Sequence, residues 1–137
     1  MKALSIKQPW VHAILHEGKD IENRTWQRSF RGWIAIHASG KPRQNAEFPG
    51  GIPVPDLKTL DYSAICGLAR VVDIVTKSRS KWLDRPADGS VNYGWVLAEV
   101  TALKTPIPCK GTLCLWEVPP KVLREIKRQL PQLKFDA

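Results

Sequence analysis

Between Ser39 and Asp61 the chain carries Pro42, Pro49, Pro53 and Pro55 together with the pair Gly50-Gly51, so no regular helix or strand runs through this stretch. It is a long connection, and loops beyond about 12 to 15 residues commonly cover a site or carry a short helix of their own. The ordered elements must therefore come from the residues on either side. Upstream, Ala3 to Ile6 reads as a strand and Pro9 to His16 as a helix, with proline in the first turn where a missing N–H costs nothing. Gly18 suits the left-handed cap that ends such a helix and releases Lys19 into a turn. Arg28 to Arg31 is a basic turn ending at Gly32, and Trp33 to Ala38 (WIAIHA) has the unbroken apolar character of a strand buried on both faces. Downstream, Ala64 to Thr76, Tyr93 to Leu103 and Thr112 to Val118 read as strands, separated by a basic patch at Lys77 to Lys81 and a loop at Arg85 to Asn92. Pro119-Pro120 opens a terminal amphipathic helix with Val122, Leu123, Ile126 and Leu130 at helical spacing.

No strand–helix unit repeats, which removes the basis for a doubly wound parallel sheet. The economical architecture is α+β: a small, mainly antiparallel β-barrel with flanking helices, one near the N-terminus and one at the C-terminus. A length of 137 residues fits one domain spanning 1–137, since a single core is built from roughly 100 to 150 residues.

The chain holds 21 Lys and Arg against 13 Asp and Glu, a formal charge of +8 that favours polyanions through counterion release. Cys66, Cys109 and Cys114 are odd in number and lack paired short spacing, so a disulfide framework is not expected and free thiols fit a reducing cytoplasm. Met1 to Trp10 has no apolar run of signal-peptide length, and no window approaches the ~18 apolar residues of a membrane span. The expectation is a cytoplasmic protein with no membrane contact, and a monomer.

Chemistry concentrates in Lys19-Asp20-Ile21-Glu22-Asn23-Arg24. Strand alternation over Asp20 to Trp26 puts Asp20, Glu22, Arg24 and Trp26 on one face and Ile21, Asn23 and Thr25 on the other. Such a face is either a solvated edge strand on which Trp26 covers a neighbour, or a polar site. If Lys19 is partly buried, desolvation lowers its pKa while Glu22 raises it, and the balance decides between a base and a charge clamp. Glu22 beside a lysine can shuttle protons, and Arg24 can hold a phosphate or carbonyl oxygen. The plainer alternative is a structural salt-bridge network with no ligand.

Six tryptophans are many for a chain of this length. An exposed aromatic stacks on a base for about 1 to 3 kcal/mol, while Arg28, Arg31, Lys41 and Arg43 would bind phosphate without sequence preference. Trp33 and Trp116 read as core, whereas Trp10, Trp26 and Trp95 are open to either role. Gln8 can read a base edge or cap the helix, and Ser39 can bind a phosphate or turn the loop. Neither a metal nor another cofactor is expected. His12 and His16 stand four apart but lack the acidic residue of a zinc-protease motif, and Cys114, alternating with Leu113 and Leu115, reads as a small packed hydrophobe. Gly50-Gly51 lacks the lysine and helix of a phosphate-cradling loop, and the basic helix with Lys121, Arg124, Lys127 and Arg128 reads as a solvated face.

The segments SIKQPWVHAI, GKDIENRTW, RGWIAIHAS, YGWVLAEV and PCKGTLCLWEVP strongly resemble the ASCH (activating signal cointegrator homology) domain, over most of the chain. The family motif G-x-K-x-x-E-x-R is met by Lys19, Glu22 and Arg24, with Glu17 at the first glycine position and the glycine displaced to Gly18. The resemblance implies a PUA-like barrel and a cleft with the motif at its floor. It also implies a role in binding RNA or single-stranded nucleic acid, and places Trp10, Trp26 and Trp95 at or near the cleft. One bacterial subgroup with a similar motif removes the acyl group from acetylcytidine, using a lysine that Lys19 matches and a threonine where Glu22 stands here. A hydrolase acting on RNA or a modified nucleoside, with Lys19 and Glu22 as its catalytic pair, is accordingly the alternative.

Overall fold

A computed structural model describes residues 1–135. Six strands, β1 (Lys2–Ile6), β2 (Ile21–Arg24), β3 (Gly32–Ala38), β4 (Ala64–Val75), β5 (Tyr93–Pro108) and β6 (Leu115–Glu117), are flanked by α1 (Trp10–His16) and α2 (Pro120–Gln129). They form one sheet in the order β2-β5-β4-β3-β1-β6, antiparallel except where β1 runs parallel to β3. Register shifts at Ile36/His37 in β3 and at three points between β4 and β5 bend the strands. The sheet curls into a half-barrel with β2 and β6 as its edges. This is the expected α+β, mainly antiparallel architecture. The Arg24 guanidinium bridges the open side, donating from Nη2 to the Ser5 carbonyl at 2.9 Å and so tying edge strand β2 to β1.

Apolar residues explain where the helices lie. Val11, Ala13 and Ile14 bury one side of α1, and Val11 and Ile14 pack with Leu4, Ile36 and Trp95. On α2, Ile126 is buried and packs, with Leu130 just beyond the helix, against Ala3, Ala35, Leu103 and Trp116, leaving Lys121, Arg124, Lys127 and Arg128 exposed as the solvated face expected of them. A third cluster of Ile21, Phe48, Trp82 and Leu83 forms where the long connection meets the 80–84 segment. That connection carries two 3-10 turns, Pro49–Gly51 and Leu57–Thr59, in keeping with its prolines.

Several boundaries differ from expectation. Strand β5 runs on to Pro108 because Ile107 and Pro108 pair with Ile65 and Ala64 at the start of β4. The last strand is correspondingly short, and Cys114 lies outside it at φ 60, a left-handed conformation that breaks the alternation. Cys114 is therefore exposed rather than packed, and its neighbour Leu113 is 89% exposed. Helix α1 begins at Trp10 with Pro9 as its cap, one residue later than expected, and Gly18 takes the predicted left-handed turn at φ 72. All three cysteines are free. Among the described residues no helix is long and apolar enough to cross a membrane.

Candidate functional site

The turn at Gly18 carries Lys19 inward. Its side chain is 3% exposed, with Nζ 5.4 Å from the Trp10 ring centroid and 5.6 Å from that of Trp82, so the ammonium sits against two indoles. Nζ also donates to the Ile21 carbonyl and lies 3.9 Å from Glu22 Oε1. On the other side, Glu22 Oε2 is 3.2 Å from Arg24 Nη2. One buried carboxylate thus stands between two cations, one contributed by the turn and one by the same face of β2. The expected triad exists in space.

Burial holds the Lys19 amine below the ordinary lysine range, opposed by Glu22, Asp20 and Asp84 and reinforced by Arg24. Because the folded pKa lies below the ordinary lysine value of 10.5, the unfolded chain binds more protons between the two values. Stability contributed at this position therefore rises with pH across that window, and the desolvation penalty is felt in full below the folded pKa. The protein should gain stability relative to a Lys19→Met variant as pH approaches 10.5, read from parallel urea melts. Curves that stay parallel would mean that Lys19 titrates normally.

The triad forms the floor of a pocket of about 480 Å³. Trp10 lines it together with Ser5 and Ile6 of β1, Ser39, Leu113 and Cys114. Lys7 and Arg43 add cationic groups and Asp84 an acidic one. Asn23 holds the 82–84 segment in place, donating to the Trp82 carbonyl at 2.9 Å and accepting from the Asp84 N–H at 2.9 Å.

Of the site residues expected from sequence, Lys19, Glu22, Arg24, Trp10, Ser39 and Arg43 come together here. The others do not. Trp95 is fully buried, with Trp26 edge-on at 5.2 Å and Phe30 stacked at 6.4 Å, so it has no face to offer a base. Trp26 is committed to that contact and lies under Arg28. Gln8 is buried and spans two elements, accepting from the His12 N–H and donating to the Asp61 carbonyl. It caps the helix and presents no edge to a ligand. Lys41 is exposed outside the pocket, and Arg28 and Arg31 line a separate groove. Asp20, expected to share the face of Glu22, is exposed and accepts from Ser80 Oγ at 2.6 Å.

Sequence reasoning did not find Ser5, Trp82, Asp84 or Leu113. Nor did it find the polar chain behind the β1 wall. His37 Nε2 lies 2.6 Å from the Cys109 carbonyl, which can only accept, so Nε2 carries the proton. Burial pushes the His37 pKa down, against the Cys109 carbonyl, which raises it. The neutral ring then accepts at Nδ1 from Ser5 Oγ, 3.0 Å away, and Ser5 Oγ accepts from Trp116 Nε1 at 3.0 Å.

The model of the ASCH domain matches residues 4–106, which contain the end of β1, the triad and most of the sheet. The chain belongs to the ASCH domain family. Activating signal cointegrator 1 of Mus musculus is similar to it, at 22% identity over 138 aligned residues. The match covers 93% of this chain and 24% of that protein, so the chain spans about a quarter of the length of the curated relative. In this ASCH domain the motif residues Lys19, Glu22 and Arg24 are the three charges of the pocket floor.

Proposed function

We propose that the domain binds RNA or another single-stranded nucleic acid by taking one nucleotide into the pocket over Glu22 and Arg24. The observation that carries this reading is the pocket itself. At about 480 Å³ it lies within the range of small-ligand sites, roughly 300 to 1,000 Å³. One wall is an indole suited to stacking and the floor is a charged donor–acceptor pair. Four cationic side chains against two carboxylates give the lining a positive balance. Glu22 accepts from a base amino or imino group, Arg24 donates to a carbonyl or phosphate oxygen, and Lys7 and Arg43 neutralise the backbone at the rim.

Fluorescence anisotropy with a labelled single-stranded RNA tests it. Affinity should fall as salt rises, and Arg24→Ala should weaken binding by about 10- to 100-fold, the loss of a charge-assisted hydrogen bond. Salt-independent binding that Arg24→Ala and Lys19→Ala leave unchanged would sink the proposal.

One observation favours a second, catalytic reading: a lysine whose pKa is held down lies within 4 Å of a carboxylate at a nucleoside-sized pocket. In a deacylation of acetylcytidine, water attacks the acyl carbon, Glu22 takes the proton and returns it to the departing amino group, and acetate leaves. Incubation with acetylcytidine and with labelled RNA decides the matter. Product that disappears in Glu22→Gln supports hydrolysis, and product that persists in Glu22→Gln and Lys19→Met excludes these residues as its source.

A further inference from the structure

A surface groove of about 700 Å³ belongs neither to the triad nor to the ASCH motif. It is lined by residues of the link from β2 to β3 (27–29 and 31), by residues 74–77 at the end of β4 and by Tyr93 at the start of β5. The link is fixed from inside. Trp26 and Phe30 both pack on buried Trp95, so the intervening Gln27, Arg28 and Ser29 are held outward as an exposed polar apex. Arg28 lies over the Trp26 ring at 5.3 Å, which restrains its guanidinium.

No carboxylate lines this groove. Arg31 is paired outside it with Asp73 at 3.2 Å, whereas Arg28 and Lys77 make no ion pair among the described residues. Two unpaired cations therefore line one channel from two stretches of chain, and its other polar groups are largely hydroxyls and an amide. Tyr93 is the register partner of Arg24, and Arg24 lines the motif pocket. Groove and pocket thus meet at adjacent positions of β2 and β5, one strand spacing apart, about 5 Å.

We infer that this groove holds the phosphodiester backbone of the strand whose base enters the motif pocket, with Arg28 and Lys77 contacting consecutive phosphates. The inference rests on the proposed nucleic-acid function and extends it: the ligand is a polymer that continues past β2, not a free nucleoside. Its chemistry is that of any polyphosphate ester, but only a nucleic acid also supplies a base for Trp10.

The doubly neutralised variant Arg28→Gln/Lys77→Gln provides the test, since both side chains are exposed and outside the core. Anisotropy against a labelled single-stranded RNA should show at least a tenfold loss of affinity and a shallower salt dependence, by about 0.7 in the logarithmic slope for each phosphate contact removed. Binding of a mononucleotide should be unaffected. An unchanged affinity and slope in this variant, with binding still lost in Arg24→Ala, would overturn the groove while leaving the pocket standing. A loss in Arg28→Gln/Lys77→Gln with none in Arg24→Ala would overturn the pocket and keep the groove. Inorganic polyphosphate that displaces the RNA but binds Arg24→Ala as well as the parent protein would support a phosphate track separable from the pocket. Absence of any RNA binding by the parent protein would overturn both.

Discussion

Glu22→Ala should lower the unfolding free energy by about 3–5 kcal/mol, whereas Lys19→Met should change it by about 1 kcal/mol or less. The two residues form one buried pair, and the asymmetry comes from what each deletion leaves behind. The Glu22 side chain is 10% exposed and is the only carboxylate within 4 Å of either Lys19 or Arg24 among the described residues. Removing it leaves two cations in the pocket floor without their counter-charge, and a desolvated, uncompensated charge is among the costliest lesions a fold can carry. Removing Lys19 instead leaves Glu22 with Arg24, cancels the desolvation that already holds its amine below the usual range, and seats an apolar stem between Trp10 and Trp82. The lost hydrogen bond to the Ile21 carbonyl is the remaining cost. Urea unfolding of the two variants side by side checks this. Equal destabilisation would mean that the triad behaves as a solvated network. Lys19→Met is thus also the variant in which a loss of ligand binding is read without a loss of fold.

How far this site was legible from sequence depends on how local each of its determinants is. Alternation placed Glu22 and Arg24 on one face because β2 is an extended edge strand, paired on one side only with β5. The same pattern failed at Asp20 and Trp26 because β2 is four residues long and both lie outside it. Gly18 was legible since its backbone conformation is a local demand, and it does deliver Lys19 to the pocket. The long connection was legible from its prolines, but the burial of Phe48 against Trp10 and Trp82 was not. Trp95 marks the limit most clearly. It is the register partner of Glu22, so its place beside the motif was sound, yet the link from β2 to β3 folds Trp26 and Phe30 over it. Which face of a tryptophan reaches solvent is decided by residues that no strand period relates to it.

Gly111→Ala should both loosen the fold and damage the pocket. A Cβ at Gly111 would lie 2.6 Å from Ser5 Oγ and 2.7 Å from His37 Nδ1, closer than real Cβ contacts come. Neither neighbour is a free end. Ser5 Oγ is held by His37 and Trp116, and the His37 ring is held by the Cys109 carbonyl and packs edge-on against Trp116 at 5.2 Å. The strain must therefore be relieved by moving the 109–114 segment outward or by breaking that polar chain, at a cost of about 1–3 kcal/mol. The segment also carries Leu113 and Cys114, which line the pocket. An outward shift opens that wall, so the affinity for single-stranded RNA should fall with the melting temperature. The two readouts are separable, because Ser5→Ala breaks the same chain, leaving Trp116 Nε1 without its acceptor, yet places no Cβ against the 109–114 segment. Affinity lost in Gly111→Ala but kept in Ser5→Ala would tie the pocket to the position of the 109–114 segment. Affinity at the parent level in both, with stability lost, would show that the segment and the chain brace the half-barrel and take no part in the site.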